Sequence, residues 1–77
     1  MLTLDRLKQG QSAVIEGFSD DIVSIKLQEL GCTIGEQIYL DKISPWGDPV
    51  SVSIAGYTFS IRKKEASFVN IKLLLTS

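Results

Sequence analysis

The chain has 77 residues, a length that allows one domain with one hydrophobic core and leaves no room for a second. Hydrophobic residues make up 44% of it, and eight basic side chains oppose nine acidic ones for a net charge of -1. This balance gives no excess of positive charge that would bind the phosphates of nucleic acid, so nucleic-acid binding is not expected. No apolar run reaches the roughly 20 residues that span a bilayer, so membrane insertion is not expected either.

The chemistry-bearing residue types are few. The chain has no histidine, the commonest general base and transition-metal ligand, so we expect no enzyme, no metal ligands and no cofactor. Its single cysteine, Cys32, cannot form an internal disulfide, and the N-terminal residues lack a signal-peptide core. A cytoplasmic protein is therefore predicted, with Cys32 as a packing residue and the adjacent Asp20 and Asp21 as helix caps instead of cation ligands.

The first half of the chain predicts a turn, a strand and a helix. Thr3 is expected to cap a short turn that ends at Gly10 and places Leu4 and Leu7 on one face. A strand follows over 12–18, with Ala13 and Ile15 on one face and an interruption at Gly17.

The segment 20–30 has the pattern of the best helix in the chain. Val23, Leu27 and Leu30 recur at helical spacing and predict one buried stripe. Gly31 can end this helix in the left-handed conformation and bring Cys32 against Leu27.

The second half predicts strands. Alternating apolar residues mark strands over 37–43, 50–54 and 57–61, and a last strand carries Val69, Ile71 and Leu73. Ala55-Gly56 is a tight hairpin turn, and Tyr57, Phe59 and Ile61 are expected on one face of the strand after it. A polar turn over 63–66 precedes the last strand. The fold class is therefore mainly β, a small five-stranded barrel with one helix between strands 1 and 2.

One segment resists a purely structural interpretation, and a second is open to two interpretations. The only tryptophan, Trp46, lies in a loop that contains both prolines, Pro45 and Pro49, and it is either a partner anchor or a lid folded back over the barrel mouth. The run Arg62-Lys63-Lys64 is either a steering patch for an acidic partner or a solvated turn. The glycines match no phosphate-binding spacing.

Four segments, in their order and spacing, resemble the FeoA family of small cytosolic accessory proteins of bacterial ferrous iron uptake. The resemblance covers essentially the whole chain and rests on Gly17-Phe18, on Lys26-Leu27-Gln28-Glu29-Leu30-Gly31 with Gly35, on Pro45-Trp46-Gly47-Asp48-Pro49, and on Ile61-Arg62-Lys63-Lys64-Glu65-Ala66. The chain departs from the family at Ile34, where proline is frequent, and at Cys32, where an aliphatic residue is usual.

The resemblance implies an SH3-like barrel and a noncatalytic partner of the FeoB ferrous iron permease. The cytosolic GTP-binding region of FeoB is the implied contact, so the chain is expected to reach the membrane only through that partner. We predict that helix 20–30 and the tryptophan loop form the contact surface, with partner-binding residues Pro45, Trp46, Gly47, Asp48, Pro49, Lys26, Arg62 and Lys63.

Two alternative functions stay open. One is a generic peptide-binding SH3-like module, which needs an aromatic-lined groove. The other is a metal-responsive sensor, with transition metal ion binding, related to the C-terminal domain of DtxR-type regulators.

Overall fold

A computed structural model describes residues 2–74 and contains one six-stranded antiparallel sheet. The strands are adjacent in the order β1-β6-β2-β3-β4-β5. Their bounds are Leu2–Thr3 (β1), Ser12–Phe18 (β2), Gln37–Ile43 (β3), Val50–Ile54 (β4), Tyr57–Ile61 (β5) and Val69–Leu73 (β6). Helix α1 spans Asp21–Glu29, a single helical turn α2 spans Lys63–Ala66, and a 3-10 turn spans Leu4–Arg6.

The structure adds a strand to the five that the sequence predicts. Leu2 and Thr3 pair with Ile71 and Asn70 of β6, so the start of the chain extends the sheet before the 3-10 turn begins. Thr3 occupies the N-cap position of this turn as expected, but its hydroxyl donates to the Asp5 carboxylate and accepts no hydrogen bond from a backbone amide of the turn. A two-residue strand is too short to show alternation, and its pairing partner lies at the far end of the sequence.

The strands bury one face each, as their alternation predicts. Val50, Val52 and Ile54 of β4 are buried and the serines between them are not. In β2 the pairing with β6 shifts register between Ile15 and Gly17, which is where the predicted alternation is interrupted. The buried core consists of hydrophobic residues from every strand except β1, from α1 and α2, and from the first turn: Leu4, Leu7, Ala13, Ile15, Leu27, Cys32, Ile38, Leu40, Val50, Val52, Ile54, Ile61, Ala66, Val69 and Ile71.

Helix α1 begins as predicted and ends differently. Asp20 is the N-cap, and its Oδ2 accepts a hydrogen bond of 2.9 Å from the Val23 amide. Leu27 is buried, but Leu30 is 47% exposed, so its predicted core position is wrong. The chain reverses at Gly31, whose φ is +99°, and the Cys32 amide donates to the Leu27 carbonyl at 2.9 Å. Cys32 therefore enters the core, while Leu30 is left at its margin.

The β4–β5 hairpin turns at Ala55 and Gly56, both at positive φ (50° and 87°), as in a two-residue type I′ turn. Tyr57 follows the turn directly and is 72% exposed, which corrects the expectation that it shares a buried face with Ile61. Tyr57 lies at the tip of the hairpin, where the sheet ends. Among the described residues the longest helix is α1, with nine residues, and no helix there is long and apolar enough to cross a membrane.

Candidate partner-binding surface

The loop between β3 and β4 is held in one shape by its own backbone. The Gly47 amide donates to the Ser44 carbonyl at 2.7 Å, and the Ser44 amide donates to the Pro49 carbonyl at 3.2 Å. Gly47 has a φ of +86°, which explains why glycine occupies this position, and the Asp48-Pro49 peptide is cis. The two hydrogen bonds hold the backbone on both sides of Trp46.

Trp46 projects from this loop into solvent. Its side chain is 93% exposed, more than any other large hydrophobic side chain of the described residues. The hypothesis that Trp46 folds back and covers the barrel mouth is therefore wrong. Burial of an indole is worth several kcal/mol, so a tryptophan left in water does nothing for the stability of the fold.

Strand pairing brings the predicted basic residues to this loop. Val50, the first residue of β4, pairs with Ile61, the last residue of β5, so the residues before Val50 and after Ile61 lie at the same end of the hairpin. The Lys63 amide donates to Asp48 Oδ1 at 2.9 Å and ties α2 to the loop. Arg62, Lys63 and Lys64 are all exposed there.

Lys26 joins the same surface from α1. Its ammonium group lies 2.5 Å from Glu65 Oε2, and the Arg62 amide donates to the other carboxylate oxygen of Glu65 at 3.4 Å. The hydrogen bond from Lys26 is the main reason that the pKa of Glu65 is lowered. Hydrogen bonds thus connect the 45–49 loop to Lys63 through Asp48, and Lys26 to Arg62 through Glu65. We call this surface, formed by Pro45–Pro49 with Lys26, Arg62 and Lys63, the tryptophan face.

A second surface was not foreseen. A groove of about 570 Å³ lies between the end of α1, the segment before β3 and the β4–β5 turn. Leu30 and Tyr57 give it exposed apolar side chains, and Glu29 and Glu36 give it carboxylates. The sequence assigned Leu30 and Tyr57 to the core because their spacing fits. The signal against that assignment is their position, one residue before the helix-ending glycine and one residue after the hairpin turn.

Cys32 has the environment of a packing residue, as expected. It is 1% exposed, and burial raises the pKa of its thiol to about 11. Within residues 2–74, no three side chains of the Cys, Asp and Glu types lie close enough together to hold a metal ion.

Comparisons with known proteins agree on the fold. The FeoA-like protein of Clostridium acetobutylicum has a TM-score of 0.91 and 27% identity, over 99% of this chain and 90% of that one. FeoA of Stenotrophomonas maltophilia, solved with zinc, has a TM-score of 0.82 and 31% identity, over 94% of this chain and 91% of that one. That protein is described as a prokaryotic SH3 domain protein and a candidate activating factor of ferrous iron transport, so the predicted SH3-like fold is confirmed.

More distant structures share the fold alone. A manganese-dependent transcriptional repressor has a TM-score of 0.82 with 14% identity, over 96% of this chain and 41% of that one. A search of curated proteins gave no significant match. The FeoA domain model matches residues 2–73, nearly the full length. The chain therefore belongs to the FeoA family of ferrous iron transport accessory proteins.

Proposed function

We propose that this protein is a noncatalytic regulator of ferrous iron uptake that works in the cytoplasm by binding the cytosolic GTP-binding region of the FeoB permease. The family places the chain in ferrous iron transport. The observation that carries the proposal further is Trp46, which is 93% exposed on a loop that its own hydrogen bonds hold in place.

A rigid, exposed tryptophan is well suited to anchor a partner. Tryptophan and arginine are enriched among the few residues that supply most of the binding free energy at interfaces. Because the loop is already ordered, binding loses little conformational entropy there. No role of Trp46 within the fold competes with this explanation, since its side chain is almost entirely in water.

The charges around Trp46 give the surface a preferred partner chemistry. Arg62, Lys63 and Lys64 are exposed beside the loop. The Asp48 carboxylate accepts a hydrogen bond from the Lys63 backbone amide, and the Glu65 carboxylate accepts one from the Lys26 ammonium group. An acidic patch on the GTP-binding region is the complementary surface. Exposed basic residues around an anchor increase the association rate more than the affinity, and salt weakens this effect.

The test is a calorimetric titration of the purified protein against the GTP-binding region of its cognate permease, with and without nucleotide. We expect saturable binding that Trp46→Ala weakens by at least about thirtyfold, the equivalent of roughly 2 kcal/mol. The matched control is Ile34→Ala, which removes another exposed side chain, 64% in solvent, from the opposite end of β3.

Each outcome of this titration is informative. Both variants should unfold at the temperature of the wild type, because neither side chain packs in the core. Equal affinity of Trp46→Ala and the wild type would move the contact to another surface. No binding by the wild type would contradict the choice of partner.

A further inference from the structure

We infer that copies of this protein associate head to tail, with Trp46 of one copy inserted into the groove of the next. We call the groove lined by Glu29, Leu30, Glu36 and Tyr57 the carboxylate groove. The occupant is a second copy of this chain because the tryptophan face carries the two features that complement the groove, the exposed indole of Trp46 and the exposed basic side chains beside its loop.

The carboxylate groove suits an aromatic side chain next to a cation. Its volume of about 570 Å³ lies within the range of binding pockets, and Leu30 and Tyr57 are 47% and 72% exposed in it. Of the eight described residues that line it, two are glutamates and none is basic. The C-terminal end of α1, where the helix dipole is negative, adds to the preference for positive charge.

The tryptophan face supplies the complementary charges. Arg62 and Lys63 of this face are exposed, as is the adjacent Lys64, and Lys63 contacts the tryptophan loop through Asp48. The nearest carboxylates, Asp48 and Glu65, are engaged by hydrogen bonds within the copy that carries them. Within residues 2–74 the ammonium groups of Lys63 and Lys64 form no salt bridge, so they are available to carboxylates of a second copy.

The two surfaces lie at opposite ends of the β4–β5 hairpin. Trp46 precedes Val50 at one end, and the groove includes Ile54 and Tyr57 at the other. Five residues of strand separate the ends by about 16 Å, so Trp46 cannot reach the groove of its own copy. The contact joins two different patches, so insertion that repeats in one direction builds a ring or an open chain.

Association of this kind would also cover Trp46. This consequence alone rests on the proposed function: at high protein concentration, self-association blocks binding of the tryptophan face to the permease.

The experiment is sedimentation equilibrium of the purified protein, without the permease, from micromolar to millimolar concentration. We expect the wild type to gain mass with concentration and to lose the gain in high salt. Two variants should each stay monomeric: Trp46→Ala, which lacks the anchor, and Glu29→Lys/Glu36→Lys, which reverses the charge of the groove.

The decisive sample is an equimolar mixture of the two variants. One variant keeps the anchor and the other keeps the groove, so the mixture should form a one-to-one heterodimer and nothing larger. Circular dichroism of each variant checks that it is folded. A wild type that remains monomeric at millimolar concentration, a Trp46→Ala variant that still associates, or a mixture that stays monomeric would each overturn the inference.

Discussion

Trp46 is 93% exposed and Cys32 is 1% exposed, although each lies next to a glycine in a loop. The direction of Trp46 could not be read from the sequence, because two prolines and a glycine fix the backbone without deciding what the side chain touches. Cys32 could be placed, because the helix-ending glycine has a known local geometry that returns the next residue toward the helix.

The burial of Cys32 predicts how its thiol reacts. With a pKa near 11, only about one thiol in a thousand is ionised at pH 8. We expect a disulfide reagent to modify the native protein only as fast as the protein opens, and to modify it at once in urea. Rapid modification of the native state would contradict the packing role.

At the scale of single elements, helix α1 contributes one fully buried side chain to the core. Leu27 is 1% exposed, whereas Leu30, which the helical spacing also assigned to the core, is 47% exposed. We expect Leu27→Ala to lower the free energy of unfolding by about 2–5 kcal/mol. Leu30→Ala is the matched control and should cost less than about 1 kcal/mol. Urea denaturation measures both, and equal losses would restore Leu30 to the core.

The tryptophan loop depends on its link to α2. Asp48 Oδ1 accepts a hydrogen bond of 2.9 Å from the Lys63 amide, so Asp48→Ala should cost about 0.5–1.5 kcal/mol of stability. Asp48→Asn keeps an acceptor oxygen and should cost less. Hydrogen exchange at the Lys63 amide should be faster in Asp48→Ala than in the wild type. Unchanged exchange would mean that this hydrogen bond does not hold the loop.

Local patterns predicted most elements, and non-local contacts account for the differences. Strands β2, β3, β4 and β5 have the predicted bounds, because alternation and turn residues specify them within a few positions. Strand β1 was missed because its two residues form a strand only through β6. Leu30 and Tyr57 were misplaced because periodicity continues past the point where an element ends.

At the scale of the whole molecule, tertiary structure assembles one surface from segments that are separate in the sequence. Pairing of β4 with β5 brings the residues before Val50 to those after Ile61. The contact of Lys26 with Glu65 then joins α1 to α2, although the two residues are 39 positions apart in the sequence. The segments of the tryptophan face could be named from sequence, but only these contacts show that they are neighbours. The carboxylate groove, also formed by distant segments, had no local signal.

The Lys26–Glu65 contact makes stability depend on pH. The pKa of Glu65 in the folded protein lies below its ordinary value of 4.5, so the ion pair stabilises the fold above pH 4.5. That contribution, at most about 1 kcal/mol at an exposed site, is lost as the pH falls below 4.5. We expect Glu65→Gln to be less stable than the wild type at pH 7 and equal to it in acid.

A matched pair of variants isolates this contact. Lys26→Gln should give the same loss at pH 7, and the double variant should lose no more than either single one. A stability difference that persists unchanged in acid would contradict the role of the ion pair.

The measurement that tests the central claim most directly is an NMR titration of the isotope-labelled protein with the GTP-binding region of its permease. We expect the Trp46 side-chain signal and the amides of residues 46–48 and 62–63 to change, with the amides of residues 33–36 unaffected at low protein concentration. Changes confined to the carboxylate groove, or no changes at saturating permease fragment, would contradict the assignment of the tryptophan face as the binding surface.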